Sequence, residues 1–176
     1  MHIFACRSRV NGFSLLEVVV SLFVLSVGFL GVIQLATATL RNSMMERDAV
    51  TASLLVQEGI ELVYNIRDTN VAKGQNAFLG IDAGSSYRID PTNPLLVGST
   101  SDQLVLKLSG GLYEHGGSGS ATKFSREIIV SGNTDTRTVT SVVVWGGSSF
   151  PGTVSESTCS LSDHCSFTTT LLQESN

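Results

Sequence analysis

From Phe13 to Leu35 the chain is apolar for 23 residues, and Glu17 is the only charge in that run. As a helix this length crosses a hydrocarbon core of about 30 Å. The preceding Met1–Gly12 segment holds Arg7 and Arg9 and no acid. A basic flank of this kind stays on the cytoplasmic side. Two ordinary explanations compete for the run. A secretory signal peptide would have an apolar stretch of about 7–15 residues before a small-residue cleavage site. Ala36-Thr37-Ala38 supplies such a site, but the run is too long and an acid at its start is out of character. A plain signal anchor explains the length and gives no reason for Glu17.

A carboxylate in a membrane helix costs on the order of 2.5–3.5 kcal/mol at mid-bilayer and less near an interface. Such a group needs a partner. One helical turn downstream stand Ser21 and Leu22, not a cation. The partner is therefore expected from another chain, or from a new N-terminus made nearby. Cleavage after Gly12 would give Phe13 a free α-amino group, and that amine on one subunit would pair with Glu17 of its neighbour.

Gly12-Phe13-Ser14-Leu15-Leu16-Glu17 with a basic leader and about 20 further apolar residues resembles the class III signal of type IV prepilins and pseudopilins. Leu25-Ser26-Val27-Gly28-Phe29-Leu30-Gly31 is most similar to the PilV-type minor pilins, with the I-type minor pseudopilins of type II secretion next. The resemblance implies cleavage between Gly12 and Phe13 by a prepilin peptidase and N-methylation of Phe13. It implies that Glu17 guides docking into a growing filament. The implied partners are other pilins or pseudopilins, the peptidase, an inner-membrane assembly platform and the membrane lipid itself. One departure from many major pilins is the lack of a proline midway along the helix: the only prolines are Pro91, Pro94 and Pro151. Gly28 and Gly31 are the only weak points of the span. They would serve close helix approach or local melting, or reflect the ordinary frequency of glycine in such helices.

The helical pattern continues beyond Leu35. Ala52, Leu55, Val56, Gly59, Leu62, Val63 and Ile66 follow i, i+3, i+4, i+7 spacing and make one apolar stripe. Glu58, Glu61, Asn65 and Asp68 form the opposite, solvated face. Gly59 costs about 1 kcal/mol against alanine in a helix, which points to a close approach by another backbone. Arg67-Asp68-Thr69-Asn70 is the expected stop. The expected organisation is a leader (1–12), a transmembrane helix (13–35), its amphipathic continuation (36–68) and an extracytoplasmic head (69–176).

The head is rich in Gly, Ser and Thr and poor in charge, as β-rich extracytoplasmic domains are. Residues 71–96 read as loops with one short strand at Ser86–Ile89 and a turn cluster at Asp90–Pro94. Strands are expected at 103–108, with Leu104, Leu106 and Leu108 on one face, then at 112–114, 124–130, 136–145 and 166–172. His115–Ser120 reads as a flexible connection. Short turns between successive strands predict an antiparallel meander. The fold class is thus α+β, a long helix packed on a small antiparallel sheet, the pilin-like arrangement.

Cys159 and Cys165 enclose five residues, and Cys6 lies in the leader. The pair reads as a disulfide in an oxidising compartment, with free thiols or a metal site with His164 as alternatives. Adjacent His and Cys are awkward ligands for one ion and no fourth ligand is evident, so no metal is expected, and no cofactor either. Net charge is −4 over the whole chain. Without the leader nine basic residues face fifteen acidic ones, so nucleic acid is not an expected partner.

No G-x-S-x-G elbow and no calcium loop occurs, and Glu58 and Glu61 have no histidine nearby for acid–base chemistry. The expected function is a non-enzymatic minor pilin or pseudopilin of the inner membrane. It would assemble through its helix into a type IV pilus or type II secretion pseudopilus and initiate or modify the filament. One rival is a filament-tip binding module for adhesion or DNA uptake, which an exposed aromatic or basic patch around Trp145, Lys123 and Arg126 would favour and burial of these residues would oppose. The other is an anchored extracytoplasmic enzyme, with a mature terminus at Thr39.

Overall fold

The structure, a computed structural model, describes residues 12, 14–84 and 86–174. The chain divides into two compact units at Met45/Glu46. Helix α1 (Leu15–Ala72) begins in the first and ends in the second. In the first unit every large apolar side chain from Leu15 to Leu35 is between 45% and 82% exposed. The helix is long and apolar enough to cross a membrane. Four of its hydroxyls are satisfied internally: Ser21 donates to Val18 O, Ser26 to Leu22 O, Thr37 to Gln34 O and Thr39 to Leu35 O. Back-bonding of this kind leaves no hydroxyl unpaired in an apolar surrounding.

In the second unit α1 packs on a seven-stranded antiparallel sheet. The strands are β1 (Ser86–Asp90), β2 (Asn93–Gly98), β3 (Val105–Ser109), β4 (Leu112–Glu114), β5 (Ser120–Gly132), β6 (Thr136–Trp145) and β7 (Cys165–Gln173). The expected α+β class is the observed one. Ala52, Leu55, Val56, Gly59, Ile60, Val63 and Ile66 are the buried helix positions, close to the expected stripe. Leu62 lies at its margin, partly buried. They meet Leu106, Phe124, Ile128, Val130, Val139, Val143 and Trp145. On the other sheet face Val142 and Val144 pack with Cys159, Cys165, Phe150 and Val154. The end of β6 is buried on both faces, so its sequence reads Val-Val-Val-Trp without alternation.

Several expectations are corrected. The helix runs to Ala72, two residues past Asn70 and four past the expected end at Asp68. Gly74, at φ +68°, ends it: its N–H donates to Val71 O and that of Gln75 to Asn70 O, both 2.9 Å. This is a Schellman stop, which favours glycine. Asn70 is buried, and its Nδ2 donates to Ala77 O and Leu79 O. The stretch read as loop up to Leu96 contains β2, paired with β1 around a turn at Pro91-Thr92. Pro94 is tolerated because β2 is an edge strand. The sheet is no simple meander. β6 runs along one side of β5, whose other side is shared by β3 and β1. Leu104 and Leu106 are buried, but Leu108, beside the Gly110-Gly111 turn, is 46% exposed.

Gly59 sits where α1 comes closest to the sheet. A Cβ there would lie 2.5 Å from Ser141 Oγ and 2.9 Å from Ile128 Cδ1. Gly28 has nothing within 4 Å. We expect Gly59→Val to cost about 1–3 kcal/mol by overpacking, read as a lowered thermal midpoint, while Gly28→Ala in detergent leaves the head's midpoint unchanged.

Candidate functional site

Ser14 precedes α1, and its carbonyl accepts from Glu17 N–H (2.9 Å) and Val18 N–H (3.3 Å). Ser14 and Glu17 have capping-box spacing, a signal that the sequence reading passed over. Glu17 falls in the first helical turn, where free N–H groups favour a carboxylate. Among the described residues no cation lies within ion-pair distance of Glu17. The next cation along the helix is Arg41, about 36 Å away at 1.5 Å per residue. Gly12 is exposed. Phe13, and with it the cleaved bond and the methylation site, lies outside the described residues, as do Arg7, Arg9 and Cys6.

In the second unit the Cys159 and Cys165 sulfurs lie at bonding distance, 1.97 Å. His164, the third member of the alternative metal set, stacks edge-on against Trp145 with ring centroids 5.8 Å apart. Among the described residues no three His, Cys, Asp or Glu side chains are gathered to hold an ion.

Of the three residues of the patch that would favour a binding module, only Lys123 is exposed. Trp145 is 3% and Arg126 0% exposed, and Lys123 pairs with Asp48 at 2.5 Å. Arg126 is instead the centre of a buried polar cluster. Its Nη1 donates to Leu55 O (3.2 Å) and Glu58 Oε2 (2.7 Å), and its Nη2 to Ile89 O (2.8 Å). One guanidinium thereby ties α1, β1 and β5. Glu58, expected on the solvated face, is drawn in because a buried cation needs an anion. Burial pulls the Arg126 pKa down, while the charges of Glu58 and Asp90 and the Glu58 hydrogen bond oppose that shift.

His115 extends the cluster. Its backbone N–H donates to Asp90 Oδ1 (2.7 Å), Nδ1 lies 2.7 Å from the same oxygen, and Nε2 lies 3.2 Å from Arg126 O. The stretch read as a flexible connection is therefore anchored at its first residue. Phase along β5 could have found Arg126. Phe124, Ile128 and Val130 face the helix, so Arg126 must face it too. Burial alone raises the Asp90 carboxyl. The hydrogen bonds from His115 and the charges of His115 and Arg126 outweigh it and hold the group below its ordinary 3.8.

Residues 7–33 match the protein family described as the prokaryotic N-terminal methylation motif. No curated protein and no solved structure matches the chain.

Two outcomes follow for the cluster. Arg126→Met leaves Glu58 and two carbonyls without their donor and should cost about 3–5 kcal/mol. Glu58→Gln in the same chain should recover part of that in a double-mutant denaturation cycle. The depressed Asp90 group contributes stability fully above its unfolded pKa near 3.8 and loses it as the pH falls through the lower folded value. Asp90→Asn should therefore destabilise the head at neutral pH and flatten its acid limb below about pH 4.

Proposed function

With a chain that is type IV prepilin-like as premise, we propose that it is a minor pilin or pseudopilin, a structural subunit without enzymatic activity. A prepilin peptidase cuts between Gly12 and Phe13 and the new Phe13 terminus is methylated. The helix holds the subunit in the inner membrane with the head outside, until other pilins and the assembly platform draw it into a filament. There Glu17 pairs with the α-amino group of a neighbour, and the subunit initiates or modifies the filament. In the oxidising compartment Cys159 and Cys165 close a disulfide.

The observation that carries this reading is the matched segment itself. A Gly-Phe junction is followed five residues on by a lone acid, and that acid opens an apolar helix with no cation in reach among the described residues. An anchor alone does not account for that acid. Burial of Trp145 and Arg126 counts against the tip-binding alternative.

The mass of the N-terminal peptide, after expression with a prepilin peptidase, tests the assignment. We expect it to begin at N-methylated Phe13; a start at Thr39 overturns it. Glu17→Val should still enter the membrane but drop out of sheared filaments by roughly tenfold or more, the scale of one lost charge pair. Normal incorporation would remove the assigned role of Glu17.

A further inference from the structure

The two ends of the sheet are treated differently. At one end β4 has three residues, and β2 carries Pro94 and pairs with β1 through an irregular register. These are devices that blunt an edge. At the other end β7 pairs, among the described residues, only with β6. Its register is unbroken from Thr136↔Gln173 to Val144↔Cys165. Cys-Ser-Phe-Thr-Thr-Thr-Leu-Leu-Gln contains no charge and no proline. Charge, proline, shortness and a register break, the devices that blunt an edge from within the strand, are missing from β7.

The ladder fixes which groups are free. Trp145 N–H donates to His164 O, and Glu174 N–H to Asp135 O. Alternation along an antiparallel pair then turns the main chain of Ser166, Thr168, Thr170 and Leu172 toward β6. The N–H and C=O groups of Phe167, Thr169 and Leu171 point away from it. Among the described residues no other hydrogen bond reaches them. Thr168 and Thr169 are exposed, and Leu171 is 55% exposed.

We infer that the outer edge of β7 is a docking site for an extended, uncharged segment of another polypeptide, which adds to the sheet as an eighth strand. Only an extended backbone offers acceptors and donors at the spacing of Phe167, Thr169 and Leu171. The absence of charge on β7 disfavours a charged segment. The side chains call for apolar residues opposite Phe167 and Leu171 and a β-branched residue opposite Thr169. A second copy of the chain is not the occupant. Two-fold pairing of β7 with β7 would turn one head end over end against the other, whereas subunits of the proposed filament are related by a screw that keeps one direction.

The test uses the full chain in detergent and a synthetic nonapeptide copying Cys165–Gln173 with serine for cysteine. Antiparallel pairing sets its leucine opposite Phe167 and its phenylalanine opposite Leu171. Residue-resolved hydrogen exchange should show the Phe167, Thr169 and Leu171 amides slowing roughly tenfold or more with peptide, while those of Thr168 and Thr170 are slow from the start. Thr169→Pro removes an N–H that faces away from β6, so the β6 amides should stay protected while the peptide effect disappears. No slowing with peptide up to its solubility limit overturns the inference. So does protection already present without peptide, whether at monomer mass, meaning an edge covered by its own chain, or at dimer mass, meaning a second copy.

Discussion

The head depends on how closely α1 can approach β5 and β6 at Gly59. Hydrogen there in place of a methyl group lets the helix backbone settle over Ser141 and Ile128. That closeness brings Leu55 O and Glu58 within reach of the Arg126 guanidinium. The same guanidinium reaches Ile89 O and so draws β1 against the helix. Asp90 and His115 then fix the turn after β4. A buried charge is tolerated only when its donors are nearly all used. Here one Nε remains without a partner, which makes the cluster a device of placement more than of stability.

The first unit obeys the opposite rule. Its apolar side chains are exposed along the helix, and Ser21, Ser26, Thr37 and Thr39 bond back to carbonyls of the preceding turn. Among the described residues nothing pairs with Glu17. A sequence that leaves one acid unpaired in an apolar helix carries a demand that folding of a single chain does not meet. The proposed filament meets it with a cation from a neighbour.

The legible parts of the sequence were those written in a period. The apolar run, the helix stripe and strands β5 and β6 follow from spacing, and the leader motif is legible because its residues are adjacent. The stop at Gly74 was legible in principle, since glycine one residue beyond the helix is its usual mark. Strand β2 was hidden by Pro94, which local rules assign to a turn and an edge position permits.

What the sequence by itself determined is therefore the long apolar helix, its single acid, the amphipathic continuation and the α+β class. Each of these rests on local order along the chain. Only the tertiary structure decided that Arg126 and Trp145 are inside, that Glu58 turns from solvent to a buried cation, and that His115 is held. It alone decided that β1 lies beside β5, which leaves β7 as the unguarded edge. The physical reason is the same in each case. Whether a polar group is buried depends on partners up to 71 residues away in the chain, and no local period records that distance.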